Sequence, residues 1–131
     1  PLAFLLLDID DFKRINDSYG HQEGDQVLQR IADSGKAVLR RGDLFGRIGG
    51  EEFAAVFPGC NAQAAEQIAE RLQRAIQRLS FSHEEQVYGV TVSQGLTALT
   101  DEDVTLDSLY ARADAAMYQA KRQGKNQIVC G

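Results

Sequence analysis

Two short acidic clusters mark the places where this chain could do chemistry. Asp8-Ile9-Asp10-Asp11 follows six apolar residues, and Gly49-Gly50-Glu51-Glu52 sits at a tight turn between two apolar segments. An ordinary hairpin tip carries Asn-Gly or Asp-Gly without concentrated charge. Here two carboxylates lie beside a glycine backbone that a ligand can approach closely. Carboxylates gathered in one place repel one another, and a shared divalent cation is the usual relief. Mg²⁺ suits such a set, because it takes oxygen ligands, keeps several waters and commonly shares one or two protein carboxylates with substrate phosphates. Two ions would stabilise the attacking and leaving oxygens of a displacement at phosphorus. Nucleotide chemistry is therefore indicated. Asp10 and Asp11 open a helix, so each also has a simpler reading as an N-cap.

The elements that must bring these clusters together follow from hydrophobic spacing. Leu2 to Leu7 is a continuous apolar run that predicts a central strand buried on both faces. Asp11 to Tyr19 predicts a short helix stopped by Gly20, and Asp25 to Leu39 a longer one, with Asp25 at its cap or in its first turn. Leu44 to Ile48 and Phe53 to Phe57 flank the glycine turn as a hairpin, closed by Pro58-Gly59. Ala62 to Leu79 is helical, Val87 to Leu99 a strand rich in Val and Thr, Leu106 to Arg122 the last helix and Gln127 to Cys130 a final short strand. The order β-α-α-β-β-α-β-α-β predicts an α/β fold, an α+β sandwich with a ferredoxin-like βαββαβ core, an extra helix and a short edge strand. Short connections and right-handed crossovers make the first strand a neighbour of the hairpin, which carries Asp8 toward Glu51 and Glu52.

Composition sets the outer limits. With 131 residues, 44% of them apolar and a quarter charged, one core in a single domain spanning residues 1–131 is expected. A net charge of −5 argues against non-specific duplex binding, which depends on Lys and Arg neutralising many phosphates. A small anionic ligand held through metal fits that balance. Cys60 and Cys130 lie far apart without a CxxC pair or a nearby histidine pairing, so reduced thiols are expected rather than zinc or a disulfide. No stretch approaches the roughly 20 apolar residues that span a bilayer. The apolar start meets Asp8 too soon, and without preceding basic residues, to be a signal peptide. The cytoplasm is the expected location, with the domain either free or the cytoplasmic output of a larger membrane-bound protein.

Four motifs in order carry a family resemblance. Asp8-Ile-Asp-Asp-Phe-Lys-Arg-Ile-Asn-Asp17, Tyr19-Gly-His-Gln-Glu-Gly-Asp25, Gly49-Gly-Glu-Glu-Phe53 and Ala116-Met-Tyr-Gln-Ala-Lys-Arg-Gln-Gly-Lys-Asn126 resemble the motif series of the GGDEF domain, the diguanylate cyclase family. The resemblance implies a palm core like that of nucleotidyl cyclase catalytic domains. It also implies condensation of two GTP into cyclic di-GMP and pyrophosphate at the interface of a homodimer. By that resemblance Asp8 and Glu51, with the backbone carbonyl of Ile9, would hold Mg²⁺, or Mn²⁺ in its place, and Glu52 would assist metal binding or deprotonation. Gly49 and Gly50 would let the turn lie against the nucleotide. Asn16 and Asp25 match the guanine-recognising pair, and a carboxylate can accept from the N1–H and exocyclic amine that guanine has and adenine lacks. Lys13, Lys121 and Lys125 match phosphate-contacting positions, joined by the backbone N–H groups near Asp11 and Phe12 at a helix start.

A second site is implied by Arg40-Arg-Gly-Asp43, which precedes the glycine turn at the interval of the family's RxxD inhibitory motif. Arg40 and Asp43, with Arg71 from the following helix, would bind the product, since Arg meets phosphate bidentately and stacks on guanine. Without the motif, the same pair reads as a helix-end salt bridge. The chain departs from the family pattern in three places. Glu51 stands where the family name has Asp, Lys125 where relatives often carry Arg, and Gln94 where they are usually apolar. The family's upstream helix and Asp-x-Leu-Thr-type turn have no counterpart here. A covalently linked sensory or regulatory domain outside these residues is an expected partner. Alternative readings are a non-catalytic module that senses GTP or cyclic di-GMP, and another cyclase or polymerase palm. The latter shares the metal logic but leaves Asn16, Asp25 and the glycine turn unexplained together.

Overall fold

The computed structural model describes residues 1–102 and 105–131. In chain order its elements are β1 (Leu2–Ile9), α1 (Phe12–Tyr19), α2 (His21–Val38), β2 (Leu44–Gly49), β3 (Glu52–Pro58), α3 (Ala62–Gln77), β4 (Phe81–His83), β5 (Gln86–Tyr88), β6 (Val92–Ala98), α4 (Leu106–Arg122) and β7 (Ile128–Cys130). Five strands form one sheet in the order β2-β3-β1-β6-β7. β1 is central and antiparallel to both β3 and β6, while β7 adds in parallel at the edge beyond β6. This is the ferredoxin-like core expected from the sequence, with α1, α4 and β7 added to it.

Strand alternation decides which side of the sheet each residue serves. Leu5, Leu7 and Ile9 join Phe53, Ala55, Phe57 and Leu96, and α2 and α3 cover them with Val27, Ile31, Ala69, Leu72 and Ile76. Phe4 and Leu6 point the other way, into a smaller cluster with Leu109, Ala113 and Met117 of α4. Asp8 has the parity of Phe4 and Leu6, and Glu52 that of Ala54 and Val56. Both carboxylates therefore leave the sheet on the α4 side, directly opposite each other in the β1–β3 ladder.

Two boundaries differ from the sequence reading. α2 begins at His21, because Gly20, at φ 93°, breaks the chain between the two helices. Asp25 accordingly lies inside the helix rather than at its cap. The segment expected as one strand from Val87 to Leu99 is divided, with Gly89–Thr91 separating β5 from β6. β5 pairs instead with β4 in a small separate hairpin turned at Glu84, which adopts φ 56°. Tyr88 of β5 stacks on Tyr19 with ring centroids 4.1 Å apart, which docks this hairpin on the helices.

Gln94 is fully buried in β6 on the α3 side. Its Nε2 donates to the Ala69 carbonyl at 3.1 Å and to Gln73 Oε1 at 2.6 Å, and Gln73 in turn donates to the Val92 carbonyl and to Asn126 Oδ1. These partners meet both donors of the amide, while its Oε1 is buried without a partner.

Candidate functional site

β1 delivers Asp8 to the sheet rim with its side chain only 9% exposed. Lys121, in the last turn of α4, donates to Asp8 Oδ2, while Oδ1 is buried and has no partner. Burial raises the Asp8 carboxyl above its ordinary 3.8; Lys121 opposes that shift, and Glu51 and Glu52 add to it. A buried oxygen without a donor is costly in a native fold, and here it lies beside further carboxylates.

The glycine turn supplies those carboxylates. Gly50 takes the left-handed conformation, φ 50°, which a glycine adopts without strain. A register shift between Arg47 and Gly49 bends the hairpin, and Arg47 Nε donates to the Gly50 carbonyl at 2.7 Å to hold the tip. The Ile9 N–H donates to the Glu51 carbonyl at 3.2 Å, tying the turn to the end of β1. An added side-chain carbon at Gly49 or Gly50 would meet nothing within 4 Å, so both glycines front open space. Glu52 accepts a hydrogen bond from the Tyr110 hydroxyl of α4 at 2.9 Å, and that bond is the main cause of the phenol's raised pKa. Tyr110 was not singled out in the sequence; an exposed aromatic in an amphipathic helix gives no signal of its own. The oxygen donors of Asp8, Glu51, Glu52 and the Ile9 backbone suit a hard divalent cation, and Asp8 Oδ1 is an atom that such a cation would satisfy. Among the described residues no three His, Cys, Asp or Glu side chains lie close enough together to hold an ion.

Neither Asp10 nor Asp11 caps α1 through its side chain, contrary to the simple reading of the cluster. Asp11 occupies the N-cap position in a left-handed conformation and makes no side-chain cap bond. Its carboxylate instead accepts from Lys125 Nζ at 2.6 Å, and Lys125 itself is left-handed at φ 65°. Asp10 is buried and accepts from Thr91 Oγ1 at 2.6 Å, Ser93 Oγ at 2.6 Å and the Asn126 N–H at 3.0 Å. It pins the β1–α1 loop to β6 and to the turn after α4. Asp10→Ala strands three donors, of which Ser93 is fully buried, and should cost on the order of 2 kcal/mol, read as a lower urea midpoint at unchanged m value.

The α1–α2 pairing sets Asn16 against Gly24, the residue before Asp25. Asn16 Oδ1 is buried without a partner, and Gly24 packs against it so tightly that an added Cβ would lie 1.9 Å from that oxygen and 3.2 Å from the Phe12 ring. Gly24, which the motif Tyr19–Asp25 includes, therefore leaves no room for a side chain beside Asn16. Asp25 is exposed and lines a groove of about 460 Å³ with Leu28, Phe45, Arg47 and Phe53. Lys13 is exposed on α1.

Arg40 and Asp43 close on each other. The Arg40 guanidinium meets both Asp43 oxygens at 2.6 to 3.2 Å, its Nη2 also donates to the Pro58 carbonyl at 2.9 Å, and the Arg40 backbone N–H donates to Asp43 Oδ2 at 2.8 Å. Arg71 is exposed on α3, where it lines a separate groove with Arg74, Arg78 and Val38. Among the described residues the hydrogen bonds of Arg40 and Asp43 run to each other and to Pro58, and none joins them to Arg71.

Comparison with known proteins places the chain in a family. The model of the family "Diguanylate cyclase, GGDEF domain" matches residues 1–127. Diguanylate cyclase DgcP of Pseudomonas aeruginosa is 40% identical over 127 residues, covering 97% of this chain and 19% of that protein. The chain therefore spans about a fifth of that relative's length. Among solved structures, the active GGEEF domain of a diguanylate cyclase from Vibrio cholerae superposes with a TM-score of 0.92 at 32% identity, covering 98% of this chain and 81% of that one. The GGDEF domain of DgcB from Caulobacter crescentus, in complex with c-di-GMP, gives 0.93 at 32% identity, covering 98% and 77%. No helix among the described residues is long and apolar enough to cross a membrane. With the family model matched over residues 1–127 and a named diguanylate cyclase 40% identical over 97% of this chain, the chain belongs to the GGDEF domain family of diguanylate cyclases.

Proposed function

We propose that this domain condenses two GTP molecules into cyclic di-GMP, one nucleotide being held by each of two facing protomers. The observation that carries this reading is that two of the three buried, unpartnered side-chain oxygens among the described residues, Asp8 Oδ1 at the acidic turn and Asn16 Oδ1 beside Gly24, fall at the motif positions, the third being Gln94 Oε1 in the core. The first awaits a cation and the second a hydrogen-bond donor, which guanine supplies. Asn16 and Asp25 bind and discriminate the base, because a nucleotide lacking guanine's donors leaves the buried amide oxygen unpaired. Lys121 and Lys125, which pair with Asp8 and Asp11 here, are free to exchange those carboxylates for phosphate oxygens once metal and nucleotide arrive. Lys13 and the backbone N–H groups near Asp11 and Phe12 add phosphate contacts at the start of α1. Gly49 and Gly50 leave room for the nucleotide to lie on the turn.

Asp8, Glu51, Glu52 and the Ile9 carbonyl would hold Mg²⁺, or Mn²⁺ in its place. A divalent ion there supplies charge stabilisation at phosphorus and lowers the pKa of a bound hydroxyl. Each ribose 3′-oxygen forms a bond to the α-phosphorus of the other GTP, its proton leaves, and the bond to the β-phosphate breaks to release pyrophosphate. One chain carries one such set, so two chains are needed to close the ring. Glu51 keeps the charge of the family's Asp, and the Vibrio cholerae domain described as active is itself a GGEEF protein.

The test is incubation with GTP and Mg²⁺, scored by chromatography over a range of protein concentrations. Cyclic di-GMP at a rate per protomer that rises with concentration is expected. Linear pppGpG alone, or no product, would count against the reading.

Arg40, Asp43 and Arg71 are proposed to form a product-binding site, for which Arg40 must loosen its grip on Asp43. Arg40→Ala should relieve product inhibition and leave the initial rate nearly intact, measured in progress curves with added cyclic di-GMP. Inhibition that persists unchanged would remove Arg40 from that role.

A further inference from the structure

Asp8 and Glu52 face each other across the β1–β3 ladder, an arrangement that sets their Cβ atoms about 5 Å apart. Their side chains nevertheless end on partners at different levels of α4. Lys121 holds Asp8 near the C-terminal end of that helix, whereas Tyr110 holds Glu52 near its beginning. The two anchors are three turns apart, about 16 Å along the axis. The carboxylates are thus drawn in opposite directions along one helix. That divergence separates two acids that the register brings together, in a site where no three His, Cys, Asp or Glu side chains among the described residues could hold an ion.

We propose that Tyr110 is a positioning residue that holds Glu52 apart from Asp8, so that Glu52 joins the metal-binding set only when the Tyr110 hydrogen bond opens. The inference rests on the assignment of Asp8 and Glu52 to a metal site. Tyr110 is suited to a reversible hold. Its hydroxyl spends its only proton on Glu52 Oε1, and its ring is steadied by Phe4, with centroids 6.3 Å apart. The side chain is 40% exposed, so water can take over the bond when Glu52 leaves. Breaking the bond opposes cation binding, and its removal should therefore tighten binding.

Tyr110→Phe keeps the ring against Phe4 and deletes only the hydroxyl. Mn²⁺ titrated without nucleotide and followed by water-proton relaxation should bind Y110F about threefold to tenfold more tightly than wild type, the worth of one modest hydrogen bond. In the Glu52→Gln background the same change should have no effect, and in the Mg²⁺-dependent cyclase assay Y110F should reach half-maximal rate at a lower Mg²⁺ concentration. Equal or weaker Mn²⁺ binding by Y110F would overturn the inference. A gain that persists with Glu52→Gln would do so too, since the effect would not run through Glu52. Asp8→Asn separates the two levels of failure. If it weakens Mn²⁺ binding while Y110F changes nothing, only the role of Tyr110 falls. If it leaves Mn²⁺ binding unchanged, the metal-site assignment falls and takes the inference with it. A purely structural role for the hydroxyl would appear as a lower Tm without tighter Mn²⁺ binding.

Discussion

Asp8→Asn should abolish cyclic di-GMP formation while raising the Tm of the domain at neutral pH. The activity loss follows from the proposed metal site. Removing an anionic ligand forfeits several kcal/mol of charge stabilisation, and at tenfold per 1.36 kcal/mol the rate should fall by about 10³ or more. The stability gain follows from the direction of the Asp8 pKa. Burial raises it above the ordinary 3.8 even with Lys121 attached, and the nearby Glu51 and Glu52 charges push the same way. A raised folded-state pKa means that the fold favours the protonated carboxyl. That advantage is complete below pH 3.8 and is lost as the pH rises through the raised value, leaving a constant penalty above it. Asparagine carries no such penalty, and Lys121, a third exposed, can return to water. The difference in Tm between Asp8→Asn and wild type should therefore be largest at neutral pH and vanish as the pH falls toward 3.8. Thermal melts at a series of pH values check this. An Asp8→Asn protein that melts below wild type at neutral pH would show that Asp8 stabilises the fold and is not held there at a cost.

What the residues revealed in advance depended on the range of the interactions involved. Asp8 was legible because six apolar residues before it fixed a strand and left a charge at the strand's end. Glu51 and Glu52 were legible because their turn is local. The core sheet followed from the same local periodicity, read together with connection rules. Asp10 was not legible, because its donors Thr91, Ser93 and Asn126 lie 81, 83 and 116 residues away and meet it only in the fold. Its place before a helix suggested a cap, a local role that a tertiary network replaced. Tyr110 is another long-range case, 58 residues from Glu52. The β4–β5 hairpin escaped notice because its strands have three residues each and its turn is built on Glu84 rather than on Gly or Asn. The early start of α2 escaped because Gly20 was read as the end of α1 and not also as the beginning of the next helix.

Gly95→Ala should be the most damaging single-methyl change in the sheet. Gly95 lies in the middle of β6 and faces α4, where an added Cβ would stand 2.1 Å from the Ala113 carbonyl oxygen, 2.3 Å from the Met117 nitrogen and 2.9 Å from the Met117 Cα. All three are backbone atoms, so no change of rotamer relieves the clash. Helix and strand must separate, and the separation opens the small core of Phe4, Leu6, Leu109, Ala113 and Met117. Overpacking of this kind costs about 1–3 kcal/mol and occasionally more; with a backbone obstacle the upper end applies, on the order of 10 °C in Tm for a domain of this size. Gly46→Ala is the control, because a Cβ there meets nothing within 4 Å and the backbone has no positive φ, so its melting curve should match wild type. Activity should suffer beyond the loss of folded protein. α4 carries Lys121 to Asp8 and Tyr110 to Glu52, and a displaced helix moves both anchors at once. Gly95→Ala should therefore show a reduced cyclase rate even at temperatures where circular dichroism reports a fully folded domain. Melting within a degree or so of wild type would mean that α4 can shift without cost. In that case the close contact of strand and helix could not be what fixes the carboxylate pair.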